Sequence, residues 1–62
     1  FRSEREITVI IALSHDSLTV PELERATGVS GEILVSILNR FERHGLVKRI
    51  QDTYTLRGVH AE

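Results

Sequence analysis

The chain has 62 residues, 40% of them hydrophobic and 27% charged, with a formal net charge of −1 and no cysteine. That length makes one small domain, too rich in aliphatics for a disordered chain and without thiols for a disulfide framework or zinc finger. A chain near this size buries only about 60% of its unfolded surface, which leaves little stability to support a strained catalytic pocket.

Ser3 and Glu6 stand at the spacing of a capping box and predict a first helix over about residues 4–14. Ile7, Ile10, Ile11 and Ser14 recur at helical spacing, and the three isoleucines suffice for the core, which leaves Val9, Ala12 and Leu13 for a second, partner-facing surface. Thr19 and Glu22 repeat the cap spacing, and Pro21 suits a first turn, so a second helix is expected over about 20–27 with Leu23 and Ala26 inward. Gly28 ends it in a left-handed conformation, Val29 plugs the core, and Ser30 caps a third helix over about 31–44. On that helix Ile33, Leu34, Ile37, Leu38 and Phe41 share one sector. Glu32, Ser36, Asn39 and Arg43 lie opposite, with Val35 and Arg40 at the flanks. Gly45 terminates the helix. Two strands, about 46–50 and 54–57, form an antiparallel hairpin around Gln51-Asp52-Thr53, and 58–62 read as a tail.

The expected fold is a small α+β domain: three helices followed by a two-stranded antiparallel hairpin, a helix-turn-helix with a wing. Its most informative segment is Thr27-Gly28-Val29-Ser30, which reverses the chain with a glycine, a buried aliphatic and a hydroxyl cap. The segment Leu18-Thr-Val-Pro-Glu-Leu-Glu-Arg-Ala-Thr-Gly-Val-Ser and the later Leu38-Asn-Arg-Phe-Glu-Arg-His-Gly-Leu-Val-Lys-Arg resemble the winged helix-turn-helix domains of IclR- and MarR-type regulators. They are also similar to the C-terminal winged helix of DNA-processing proteins of the DprA type. The resemblance covers roughly Ile7 to Leu56. It implies double-stranded DNA binding, with the third helix in the major groove and the wing near the backbone.

The charge distribution agrees in part. Between Arg40 and Arg49 four cations, Arg40, Arg43, Lys48 and Arg49, face Glu42 alone, while residues 1–31 sum to −2. These four are the candidate phosphate contacts, and four contacts imply a salt slope of about −3.6. Ser30, Glu32, Val35, Ser36 and Asn39 are the candidate groove-facing residues. Glu32 can accept from cytosine N4 but repels phosphate, Val35 can meet only a thymine methyl, and Asn39, deeper along the helix, suits phosphate or sugar. The wing turn lacks a glycine and a basic tip.

No nucleophile–base arrangement or glycine-rich phosphate loop is present, and His15, His44 and His60 have no carboxylate at ligand spacing. Neither enzymatic activity, a cofactor nor a metal is expected. The longest apolar-leaning run, Ile7 to Leu13, is far short of the ~20 residues that span a bilayer, and no secretory signal is visible, so a cytoplasmic setting without membrane contact is expected. The start at Phe1 and the absence of methionine suggest one module of a longer protein. The sequence thus reads as a module that binds duplex DNA in a bacterial or archaeal transcriptional regulator or DNA-processing protein, acting as a homodimer or docked on the rest of its parent. The alternative is a winged helix that serves protein interaction or oligomerisation.

Overall fold

A computed structural model describes residues 4–57 as α1 Glu4–His15, β1 Leu18–Thr19, α2 Val20–Thr27, α3 Gly31–Arg43, β2 Val47–Ile50 and β3 Thr53–Leu56. The three helices match the expected ones to within a residue at each end. Ser3, and with it the first expected cap, lies outside the described residues, as does the expected tail at 58–62.

The sheet differs from expectation. It has three antiparallel strands in the order β1-β3-β2, not two. The added strand pairs Leu18 with Tyr54 and Thr19 with Thr53. An N-cap residue already has extended backbone, and Thr19 sits at φ −85°, ψ 170°. It therefore ends a strand and starts a helix at once. Its hydroxyl accepts from the Glu22 amide at 3.4 Å, while its own N–H donates to Glu22 Oε1 at 2.9 Å. The capping box and the strand share one residue.

The hairpin is also tighter than expected. Ile50 pairs directly with Thr53, so the turn is Gln51-Asp52 alone and Thr53 belongs to the strand. Two-residue hairpins need a positive φ, and with no glycine available Gln51 takes it, at 58°. A left-handed conformation costs a residue with a Cβ about 1–2 kcal/mol. Gln51→Gly relieves that strain but gives up part of the gain to a freer unfolded chain. We expect a net stabilisation of about 0.5 kcal/mol, a rise in Tm of ~3 °C for a domain of this size. A thermal melt followed by circular dichroism checks it; a lower Tm would contradict strain at this turn.

The core joins all three helices to the sheet: Val9 and Leu13 of α1, Leu23 of α2, Leu34, Ile37, Leu38 and Phe41 of α3, Val47 of β2 and Tyr54 of β3. On α3 the buried set is the expected sector, with Ile33 half-buried beside it, and Val29 packs against the core from the turn. Ala26, expected inward, is exposed.

On α1 the expected faces are exchanged in part: Ile10 is half-buried against the core as expected, but its neighbours on the wheel change places. Val9 and Leu13 are buried and Ala12 is half-buried against the core, whereas Ile7 and Ile11 are exposed. The surface assigned to a partner is thus part of the interior. Apolar residues run almost around this helix, so its wheel offers two faces of similar hydrophobicity. Tertiary contact selects between them. The buried face carries Glu6, whose carboxylate accepts a hydrogen bond from Arg40 of α3 at 2.5 Å. Turning the helix to bury Ile7 and Ile11 would remove that carboxylate from its partner.

Candidate nucleic-acid interface

The turn from α2 into α3 sets the pose of the third helix. Gly28 sits at φ 75°, and its N–H closes on the Glu24 carbonyl at 2.8 Å. The Thr27 hydroxyl donates to the Leu23 carbonyl at 2.6 Å and accepts from the Val29 amide at 3.1 Å, which ties helix, turn and core plug together. Ser30 is the N-cap residue, and its carbonyl receives the Leu34 N–H at 2.9 Å, but its side chain makes no capping hydrogen bond. The expected hydroxyl cap is therefore replaced by backbone geometry alone. At the far end Gly45, at φ 79°, directs the Leu46 N–H to the Phe41 carbonyl at 2.8 Å and its own N–H to the Glu42 carbonyl at 3.1 Å. That paired closure aims the chain from α3 into β2.

Between these two ends, Glu32, Val35, Ser36, Asn39 and Arg43 lie on exposed positions of α3, with Ser30 exposed just before it. Their common direction follows from burial of the opposite sector. No part of the described chain covers this surface.

Its electrostatics are uneven. Near the N-terminal end, a Cβ added at Gly31 would stand 2.5 Å from Glu24 Oε2. The Glu24 carboxylate therefore lies over the first turn of α3, beside the exposed Glu32. The positive end of the helix dipole is met by two acids, and a phosphate approaching there is repelled. Cations occur toward the C-terminal end, where Arg43 is exposed in the last turn.

The four cations expected to act together fall into different settings. Arg40 pairs with Glu6 across α1 and α3, the two side chains 54% and 11% exposed. Arg43 is on the outer side of α3. Lys48 and Arg49 are neighbours along β2 and so point to opposite faces of the sheet. Arg49 shares the side of its cross-strand partner Tyr54 and lines a shallow depression with Thr19, Val20, Pro21, Gln51 and Asp52. Lys48 lies on the other face, opposite Thr55 and on the same side as Ile50. Arg40 belongs to the internal structure as much as to the surface, and the stripe expected from the sequence is not one continuous patch.

Two acids that shape this region are absent from the expected site. Glu6 carries a signal in the sequence, since it shares a face with Val9 and Leu13 by the i, i+3, i+7 rule. Glu24 carries none, because its position over Gly31 depends on how α2 crosses α3.

The contrast between Arg40 and Arg43 can be measured. Arg40→Ala removes one partner of a nearly buried carboxylate and should cost about 1 kcal/mol, the exposed guanidinium keeping the effect modest. Arg43→Ala should stay within ~0.5 kcal/mol. Urea midpoints of the two variants decide it; equal midpoints would contradict a structural role for the Glu6–Arg40 pair.

Among the described residues no group of three His, Asp or Glu side chains is placed to hold a metal ion, and no helix is long and apolar enough to cross a membrane. His60 lies outside the described residues. Compared with models of known protein families, with curated proteins and with solved structures, the chain matches none.

Proposed function

We propose that this chain is a winged helix-turn-helix module that binds duplex DNA without catalysing a reaction, as the DNA-binding part of a transcriptional regulator or DNA-processing protein of the cytoplasm. One observation carries the reading. A helix held by tight turns at both ends leaves the face with Val35, Ser36, Asn39 and Arg43 uncovered. A helix of this diameter fits a major groove. The order α1-β1-α2-α3-β2-β3 with strand order β1-β3-β2 supports the fold assignment, since it places the β2–β3 hairpin directly after the exposed helix.

On this basis the approach is through the C-terminal half of α3. Arg43 anchors phosphate from the end of α3, Lys48 and Arg49 reach the backbone from opposite faces of the hairpin, and Asn39 meets phosphate or sugar. Ser30, Glu32, Val35 and Ser36 face the groove, and the acids near Gly31 keep that end from the backbone. Arg40, neutralised by Glu6, releases few counterions. The salt slope is then about −2.7, for three phosphates.

The second reading, an interaction or oligomerisation module, is favoured by the acids at the start of α3 and by the exposed Val35. Titration of labelled duplex over roughly 50–200 mM salt, where phosphate contacts dominate, separates the two. Binding with that slope supports DNA. No binding at the lowest salt, by the chain linked as a tandem dimer, favours the interaction module.

A further inference from the structure

The geometry points to a homotypic contact: α1 pairs antiparallel with α1 of a second copy of this chain, about a two-fold axis midway between Ile7 and Ile11. The side of α1 opposite Val9 and Leu13 carries Glu4, Ile7, Ile11 and Ser14, spaced alternately three and four residues apart, as in the seam of a two-helix coiled pair. Ile7 and Ile11 are 45% and 54% exposed, and among the described residues no other helix presents two large apolar side chains one turn apart. Beside Ile11 the apolar surface continues into a depression of about 370 Å³, where Ala12, Leu18 and Ala26 contribute to the lining.

A second copy is the occupant because the seam complements itself. The antiparallel two-fold arrangement sets Ile7 of each copy against Ile11 of the other, and Glu4 against Ser14 and His15 at the opposite end. The exposed Glu4 carboxylate of each copy thereby meets the Ser14 hydroxyl and His15 imidazole of the other, groups that can donate hydrogen bonds to it. A parallel arrangement would instead oppose Glu4 to Glu4. The formal net charge of −1 gives two copies little reason to repel. Two isoleucines per copy make a small contact, so the dimer belongs to the weak class that is visible at high concentration. The proposal does not rest on DNA binding, and its tests use none.

The chain contains no cysteine, so single cysteines report on register directly. Ile7→Cys and Ile11→Cys are oxidised separately and as an equimolar mixture, at high protein concentration. The mixed-position disulfide should form severalfold faster than either same-position disulfide. A rate no greater than that of Glu42→Cys, or faster same-position linkage, would overturn the antiparallel pair. Sedimentation equilibrium adds a second readout. The parent chain should gain mass with concentration, while Ile11→Glu, altered at an exposed site and checked for folding by circular dichroism, should remain monomeric. A parent that stays monomeric throughout overturns the proposal, whatever other protein covers this face.

Discussion

Leu34→Ala should lower the melting temperature by more than ~10 °C and bring the domain close to unfolding at room temperature. Leu34 is fully buried on the inner side of α3, within the cluster that joins Val9, Leu23 and Tyr54. Truncating a leucine in such a place costs about 2–5 kcal/mol, the transfer term plus the cavity left behind. A domain of this length has a total stability of only about 3–9 kcal/mol. The loss is therefore a large part of the whole. Leu34→Met, which conserves volume, should cost less than ~1.5 kcal/mol. Val35→Ala, one residue along and 43% exposed, should shift stability by no more than ~0.5 kcal/mol. Thermal and urea unfolding of the three variants checks the set. If Leu34→Ala and Val35→Ala melted together, the assignment of inner and outer sides of α3 would fail, and the exposed face with it.

Reversing the charge of Arg43 and Lys48 together should weaken duplex binding about 100-fold at ~50 mM salt and reduce the salt slope from about −2.7 to about −0.9. The size follows from counterion release: each phosphate no longer neutralised takes ~0.9 from the slope, and at low salt each is worth more than tenfold in affinity. Both side chains are exposed, so folding should be unaffected. The weakening should be nearly equal for unrelated duplexes, because phosphate contacts carry no sequence information. A reduction confined to one duplex sequence would instead assign Arg43 to base readout. Arg40→Ala serves as the contrast. Its charge is engaged within the chain by Glu6, so at matched folded fraction it should change the slope by much less than the double reversal does.

The outer face of α3 is legible in the sequence, because five large apolar residues recur at helical spacing and leave the polar positions no other side to occupy. The second capping box and the left-handed Gly28 are equally plain, since caps and breakers act within a few residues along the chain. The hairpin is legible as a hairpin, though not its two-residue turn, because no glycine marks where the positive φ falls. On α1 the periodicity misleads. Ile7, Ile10 and Ile11 form as regular a stripe as Val9 and Leu13, and the sequence holds no local reason to prefer either. The choice rests on contacts made only in the folded chain: burial of Val9 and Leu13 in the shared core, and Arg40 reaching Glu6 from 34 residues away.

The same division runs through the candidate site. A cluster of cations is a sequence property, but whether they share a surface is not. Lys48 and Arg49 are separated by strand alternation, Arg40 is taken up by an ion pair, and Glu24 is placed over α3 by a helix crossing. What the chain's order of residues determined alone is local: three helices, the capping box at Thr19, the turn at Gly28 and a hairpin, all set by backbone preferences and by periodicity within single elements. Tertiary structure alone decided which side of α1 faces inward, that Leu18 and Thr19 add a third strand, and which cations remain available to a partner. These depend on contacts between residues distant in sequence, whose energies arise only when the elements are packed together.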